Sequence, residues 1–539
     1  MSMAVHPVHV LQATTPAKEH HFSVDRICED NPTNSRDSDG AVVADYRSEV
    51  RPSVITDLET KVSKENYGKY LKRLTLRKLR GFTDREVTFD FPVTALVGPN
   101  GGGKTTVLGA AALAYKSVSP GRFFAKSGKY DSSMQNWSIE YELIDKEHTP
   151  RLSVSRTASF KQLKWNRTAL DREVLVFGVE RTLPATERSK LKAAIGGSFA
   201  AVREVTLDPE VTQHAAKILA KPIEGFQQLY VDKAGKVSLF SGLTPRGDGY
   251  SEFHFGAGEA SVIRIVAEVE AASPGAMILI EEIENGLHPV ATQRMVEYLI
   301  GVAHRKSCQV IFTTHSNDAL APLPSKAIWA ALDGAVIQGK LDVKALRTIT
   351  GQIQAKLAIF VEDDFAELMV TTALRSHGGV ELDEVKVHGM GGHDPAIKVN
   401  AHHNVDPTVS FPSICILDGD QAERADPAKG IFTLPGSGSP EAHVLGRILD
   451  CLDEEAGRLA VALHLDLHDQ ERVKKVVKER ALTNWDRHMI WEQIGGDLDF
   501  TSGHIVKSAF LTTWSRKFPQ EVEALVAAIG DKLPRRDSN

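Results

Sequence analysis

From Tyr70 onward, apolar and polar residues alternate in short runs. In YLKRLTLRKLRGFTDREVTFDFPVTALVGPN the alternation gives way to the unbroken apolar run VTALV. A period of two marks half-buried paired strands, and a short continuous apolar run marks a strand covered on both faces. The pattern therefore predicts paired strands feeding a buried one, followed by a helix over GGGKTTVLGAAALAYK, which is rich in Ala and Leu. Between about 120 and 250, strand-like pieces (WSIEYELID, RLSVSRTASF, LYVDKAGKVSLF) alternate with polar helical ones and show no long heptad pattern. Two more apolar strands, AMILI at 276–280 and QVIFTTHS at 309–316, flank a predicted helix.

A second strand–helix series begins at KLAIFVEDDFAELMVTTALRSHGG and runs through VKVHGMGGH, SICILDGDQ and GIFTLPG, which sets a boundary near 345–355. From about 441 the apolar spacing of three and four in HVLGRILDCLDEEAGRLAVAL is helical. Residues 1–65, with EDNPTNSRDSDG, lack sustained periodicity and predict a loosely ordered extension. The expected organisation is an α/β chain: an extension at 1–65, a first α/β domain at 66–348, a second at 349–445 and a helical region at 446–539.

Composition narrows this only slightly. The 539 residues are 42% hydrophobic and 25% charged, as in an ordinary globular chain. A net charge of −6 excludes a global polyanion binder, so contact with nucleic acid would need a local basic patch. Cys28, Cys308, Cys415 and Cys451 are scattered without C-x-x-C spacing, which predicts free thiols in a reducing compartment and no zinc site. With no apolar run of about 18 residues and no basic-then-apolar start, the expected location is the cytoplasm.

GPNGGGKTT carries the chemistry of the first domain. It fits G-x-x-x-x-G-K-[ST] between a predicted buried strand and a helix, the context that motif requires. The glycines let consecutive backbone N–H groups converge on phosphate oxygens at a helix N-terminus. Gly98, Asn100, Gly101, Gly103, Lys104, Thr105 and Thr106 are thus the expected nucleotide contacts, with Lys104 reaching the β- and γ-phosphates and Thr105 ligating Mg²⁺.

ILIEEIENGLHP places Glu281, Glu282 and Glu284 after a buried strand, where carboxylates are costly unless a cation is near. Glu281 is expected to hold the Mg²⁺ of the nucleotide, and Glu282 to orient or deprotonate the attacking water. For Glu284 a solvated acidic loop is an equal alternative. His315, in FTTHS at the end of the next strand, is placed to sense the γ-phosphate.

Taken in order, GPNGGGKTT, FGAGEAS, LIEEIENGLHP and TTHS resemble the ABC-type ATPases of the SMC and OLD (overcoming lysogenization defect) group. The resemblance implies ATP as cofactor and homo-oligomers formed through ATPase heads. It implies a signature motif at Phe255 to Glu259, acting on the nucleotide of a second head, with Gly258 and Glu259 among its contacts, and His288 in the D-loop. Gly256 stands where that group places a signature serine, which leaves the contact to backbone N–H groups. A transporter would need a membrane partner, and an SMC-type arm would need far more than the about 150 residues between P-loop and signature.

In the second domain Glu362 follows KLAIFV, and Asp418 and Asp420 follow SICIL. Two strand ends delivering acids to one edge of a parallel sheet build an oxygen-rich site for Mg²⁺ or Mn²⁺, suited to phosphodiester chemistry. The arrangement resembles a Toprim domain, which follows the ATPase in OLD nucleases, and Gly391 and Gly392 match its glycine turn. The resemblance further implies that Glu441 serves a second metal and that a catalytic lysine exists, for which Lys507 is the candidate. Asp363 and Asp364 replace the glycine common after the first glutamate, as extra ligands or as helix N-terminal acids.

The expectation is an ATP-regulated, divalent-metal-dependent DNA endonuclease of the OLD type, with DNA and a second copy as partners and a role in antiphage defence. The rival is an ATP-binding sensor or scaffold whose second domain is inactive and which controls a separate toxic partner protein. A topoisomerase would need a nucleophilic tyrosine domain, for which the sequence offers no candidate.

Overall fold

The computed structural model describes residues 48–535 apart from 151, 245, 333, 350, 352–354 and 408. Most of the predicted extension, including Cys28, lies outside them. Its end does not, and it corrects the expectation: Pro52–Ser63 is a helix, α1, with proline in its first turn and Leu58 fully buried. Lys61 of α1 reaches Ser307 Oγ at 2.6 Å and Glu59 pairs with Lys326 at 3.0 Å, so the helix is docked at both edges.

An antiparallel sheet follows, in the order β2-β1-β4-β5-β6, from β1 (Lys69–Leu79), β2 (Phe82–Thr88), β4 (Trp137–Asp145), β5 (Val154–Lys161) and β6 (Lys164–Arg167). Its inner face carries Tyr70, Leu74, Leu76 and Ile139. Its outer face carries cross-strand ion pairs such as Arg73–Glu142.

The central sheet has the order β15-β14-β3-β13-β12-β7: β3 (Val93–Val97), β7 (Val174–Phe177), β12 (Met277–Ile280), β13 (Gln309–Thr313), β14 (Ile328–Leu332) and β15 (Ala335–Gln338), with only β15 antiparallel. Every residue of β3, β12 and β13 is buried, as expected of parallel strands covered on both faces. Gln309, fully buried, exchanges two 2.9 Å hydrogen bonds with the backbone of Leu71. These serve a point where the β1–β4 register shifts and ladder bonding is interrupted.

Helix α2 (Lys104–Ala112) leaves β3 directly. A small antiparallel sheet of β8 (Arg203–Thr206), β9 (Gln227–Tyr230), β10 (Ser238–Leu243) and β11 (Gly249–Ser251), interrupted by α3 (Pro209–Leu219), precedes α4 (Ala257–Ala271). α5 (Pro289–Lys306) links β12 to β13, and the short α6 (Asn317–Leu320) and α7 (Val343–Ile349) flank the hairpin β14–β15.

The last sheet is fully parallel, in the order β17-β16-β18-β19, from β16 (Leu357–Val361), β17 (Val385–Gly389), β18 (Ser413–Leu417) and β19 (Ile431–Thr433), with α8 (Asp364–His377) and α9 (His393–Val405) as crossovers. Then come α10 (Pro440–Ala462), α11 (Gln470–Thr483), α12 (Ile490–Asp497), α13 (Gly503–Lys517) and α14 (Pro519–Ile529).

Alternation along β16 sends Ala358 and Phe360 into the core of the central sheet, and Leu357, Ile359 and Val361 into a second core with Trp491 and Trp514. Both expected internal boundaries therefore fall inside continuous structure. The one at 348 cuts α7, whose Thr348 hydroxyl meets the His388 ring on β17 at 2.7 Å. The one at 445 cuts α10, whose Leu445, Ile448 and Leu452 share the second core with β16. Apolar faces, not composition shifts, decide where a unit ends.

Candidate functional site

The loop after β3 is built for close approach. Gly98 (φ 143°) lies where a Cβ would meet the Ala331 carbonyl oxygen at 2.2 Å, and Gly103 (φ 104°) where one would meet the Phe82 ring at 2.4 Å. Both are left-handed, so glycine alone fits on conformation and on space. The loop opens a cleft lined by Arg80, Phe82, Asn100, Gly101, Gly103, Lys104, Thr105, Thr106 and Glu282. Lys104 Nζ donates to the carbonyls of Gly98 at 2.9 Å and Pro99 at 3.0 Å, and burial brings its ammonium down to about 8. Arg80, which sequence reasoning missed, donates to Thr106 Oγ1 at 2.8 Å. Its signal was the left-handed turn at RGF, where Arg80 has φ 53°.

The acidic strand end joins this cleft. The Glu281 carboxyl is raised by burial and then by Glu282, while Arg122, Arg181 and the nearby Thr105 hydroxyl pull it down. That pairing of hydroxyl and carboxylate at a P-loop fits a Mg²⁺ site. Glu282 has φ 47°; its N–H donates to Thr313 Oγ1 at 2.8 Å and its Oε2 accepts from Asn285 at 2.6 Å.

Arg181, also missed, fixes this segment. It is 6% exposed and donates to the backbone carbonyls of Gly178 at 3.0 Å, Glu281 at 2.6 Å and Glu282 at 2.6 Å. A basic residue acting on backbone carbonyls has no sequence signature.

Glu284 is not a solvated loop acid. It accepts from Thr314 Oγ1 at 2.8 Å and from the His315 N–H at 2.6 Å, tying the end of β12 to the end of β13. His315 is held below its ordinary range by lost hydration and then by the Lys104 charge, and it is not among the residues that line the cleft.

The Phe255–Glu259 segment stands apart from the residues lining that cleft. Gly256 is the N-cap of α4, and Gly258 packs so closely that a Cβ would lie 1.9 Å from the Gly286 carbonyl oxygen. Glu259 is engaged by Lys221 at 2.7 Å and the Tyr250 hydroxyl at 3.3 Å. His288 is the N-cap of α5.

A second constellation sits at the carboxyl edge of the β16–β18 pair. Glu362, Asp418 and Asp420 each offer an oxygen within 4.8 Å of the others'. Glu362 Oε1 accepts the Asp418 N–H at 2.9 Å, and its carbonyl accepts from Gly391 at 2.7 Å and Gly392 at 2.8 Å. Gly419 lets the turn close, since a Cβ there would meet the Gly436 carbonyl oxygen at 2.4 Å.

Asp418 is 7% exposed and its Oδ1 has no hydrogen-bond partner. Burial, then Glu362, Asp363, Glu441 and Asp420, push its carboxyl up to about 8. Three crowded acids with an orphaned buried oxygen fit a divalent cation, which would supply the missing partner.

Glu441 is 2% exposed beside this group, and Asp363 caps α8 through Oδ1. Asp364 is an exposed first-turn acid. Lys507, on α13, pairs with Glu492 at 3.4 Å. His393, not expected, lies 3.7 Å from Glu362 Oε2.

Residues 142–321 match the family described as "AAA domain, putative AbiEii toxin, Type IV TA system", and residues 73–170 match a second AAA domain family. Residues 73–321 carry an AAA-type P-loop ATPase domain. The chain is 52% identical over 44 residues to the DNA replication and repair protein RecF of Synechococcus sp. (strain JA-2-3B'a(2-13)), a match spanning 8% of this chain and 12% of that relative's length.

Among solved structures, the SMC head domain from Thermotoga maritima is 13% identical with a TM-score of 0.33, covering 50% of this chain and 98% of its own. The recombination mediator protein RecF with ATP is 12% identical with a TM-score of 0.33, covering 50% and 99%. Among the described residues no helix is long and apolar enough to cross a membrane.

Proposed function

We propose that the chain is an ATP-regulated, divalent-metal-dependent DNA endonuclease of the OLD type, acting in antiphage defence, with a Toprim-like centre on the β16–β18 edge. The observation that carries the reading is the trio Glu362, Asp418 and Asp420, with the orphaned Asp418 Oδ1, in the same compact unit as the P-loop cleft. Bound there, divalent ions would polarise a phosphodiester and make a nucleophile from water. The protein's part is positional: Glu362 fixes the Asp418 turn, and the glycine turn at Gly391 and Gly392 fixes Glu362.

At the cleft, Lys104 would exchange its loop carbonyls for phosphate oxygens, Thr105 and Glu281 would hold Mg²⁺, Glu282 would orient the attacking water, and His315 would sense the γ-phosphate. Gly258 and Glu259 serve the nucleotide of a second copy across a head-to-head contact.

The test is cleavage of supercoiled and linear DNA by purified protein with Mg²⁺ or Mn²⁺, with and without ATP, against Asp418→Ala/Asp420→Ala. Cutting lost in the double variant supports the nuclease. No cutting by the folded wild type supports the second reading, a sensor or scaffold for a separate effector, which the Lys507–Glu492 pairing favours because it leaves the catalytic lysine unassigned.

A further inference from the structure

Arg181, which holds the backbone of Glu281 and Glu282, is itself held. Its carbonyl accepts from Arg188 Nη2 at 2.9 Å. The same guanidinium donates through Nη1 to Glu252 Oε1 at 2.7 Å and through Nε to the Leu183 carbonyl at 3.1 Å. Glu252 is 3% exposed. Both of its carboxylate oxygens also accept from Arg264 Nη2 at 3.0 Å, and Oε2 accepts the Phe240 N–H at 3.0 Å.

The network spans two parts of the first α/β domain. Arg181 lies in the 3-10 turn Val179–Thr182 that follows β7. Glu252 opens the 3-10 turn Glu252–His254, its carbonyl accepts the Phe255 N–H at 3.3 Å, and Gly256 then caps α4. A continuous chain of polar contacts therefore runs from the backbone of the acid turn, through Arg181, Arg188 and Glu252, to the start of the Phe255–Glu259 segment. Gly258, packed against Gly286, joins the same two regions at a second point.

Packing alone does not call for a buried carboxylate between two guanidiniums, since apolar side chains of similar volume are often as stable or more so. What an apolar group cannot do is join a carbonyl to a carboxylate at fixed angles. The planar fork of Arg188 does this, and the single ammonium of a lysine does not.

We propose that Arg188 and Glu252 are positioning residues that couple the occupancy of a chain's own nucleotide cleft to the placement of its Phe255–Glu259 segment. Phosphate and Mg²⁺ change the charge around Glu281 and Glu282. A shift of their backbone passes to Arg181, then to Arg188, and so to the turn that starts α4. Where that segment serves the nucleotide of a second copy, the two occupancies are linked, each favouring or opposing the other by the same free energy. The coupling rests on the reading of the P-loop cleft as a nucleotide site; it does not rest on the nuclease reading.

The test is hydrogen–deuterium exchange of the full chain, read by mass spectrometry with and without Mg²⁺ and the slowly hydrolysed analogue ATPγS, at a concentration where light scattering shows wild type and variants in one oligomeric state. In wild type, the analogue should slow exchange in peptides covering Gly98–Thr106 and, by roughly threefold or more, in peptides covering Phe253–Ser261. Arg188→Lys keeps a cation beside Glu252 and loses the fork to the Arg181 carbonyl, whereas Glu252→Gln keeps the shape and loses the charge. In each, the response at Phe253–Ser261 should fall by at least about half while the P-loop response is kept and ATPγS affinity changes less than about threefold. Arg264→Lys weakens the other ion pair of Glu252 without touching the Arg181 carbonyl, and should keep the response.

A P-loop response with none at Phe253–Ser261 in wild type overturns the proposal. So does a response that survives both variants, or one that Arg264→Lys abolishes as fully as Arg188→Lys. Absence of any response at the P-loop removes instead the nucleotide reading beneath it, and the coupling with it.

Discussion

The backbone N–H of Asp418 donates to Glu362 Oε1 across 2.9 Å, so the acid that ends β16 secures the turn that ends β18. The bond sets the two carboxylates side by side before any cation arrives. Crowding of this kind opposes ionisation, and its energetic consequence can be measured in the absence of metal.

Burial and the neighbouring acids push the Asp418 carboxyl up to about 8 in the folded chain, against about 3.9 in an unfolded one. A folded pKa above the unfolded value favours folding at low pH, and that favour is lost as pH rises through the folded pKa. In a chelating buffer, Asp418→Asn should therefore be more stable than wild type at pH 8, by roughly 2 kcal/mol or more, with no gain near pH 4. Urea denaturation at the two pH values checks this. Equal stabilities at pH 8 would show that the acids are not crowded. Adding Mn²⁺ should raise the midpoint of the wild type more than that of the variant.

Lys104 predicts a proton linkage at the nucleotide. Its ammonium, lowered to about 8 by burial, should return toward its ordinary value once phosphate oxygens replace the carbonyls of Gly98 and Pro99. ATP binding at pH 8.5 should then take up a fraction of a proton, seen as a heat that varies with buffer ionisation enthalpy. At pH 6.5 the uptake should vanish, and Lys104→Ala should lose both the uptake and most of the affinity. Buffer-independent heats at pH 8.5 would contradict the assignment.

Arg181 acts through the backbone of Glu281 and Glu282, not on the nucleotide itself. Arg181→Met should slow ATP turnover roughly tenfold or more while changing ATP affinity less than about threefold, because orientation is lost and binding groups remain. The split between kcat and KM separates positioning from simple destabilisation. A variant that loses binding and turnover in proportion would refute it.

His388 and His403 make the fold acid-sensitive. Burial pushes both rings down to about 4, so they stay neutral in the native chain while an unfolded chain takes up protons below about 6.5. Stability is therefore complete above that value and falls as pH drops toward 4, on the order of 2–3 kcal/mol for each ring. Urea midpoints at pH 7 and pH 5 should differ accordingly. His403→Phe, in a pocket already shared with Phe360 and Phe411, should shrink the difference.

The P-loop, the two acidic strand ends and the DxD turn were legible because each couples a short spacing to a period the chain displays locally. VTALV, AMILI, QVIFTT and SICIL all became fully or almost fully buried strands. α1 was also readable: Pro52 in the first turn, with Val54, Leu58 and Val62 four apart, is a helical stripe that the polar residues before it obscured. Arg181 and His488 were not readable. Arg181 works on backbone carbonyls, and His488 meets Asp363 and Glu441 only because the turn before α12 folds back onto the start of α10. The sequence left Glu284 undecided because its partners, Thr314 and His315, lie at the end of another strand.

β16 gives one face to each of the two cores and ends in Glu362. It behaves as a beam built into two walls. Interiors at crystal-like density transmit displacement instead of absorbing it, so no slack separates the nucleotide-bearing side from the acid-bearing side. A tilt imposed on the central sheet must arrive at the acids as a change in their spacing, with stiffness doing the work that a hinge does elsewhere.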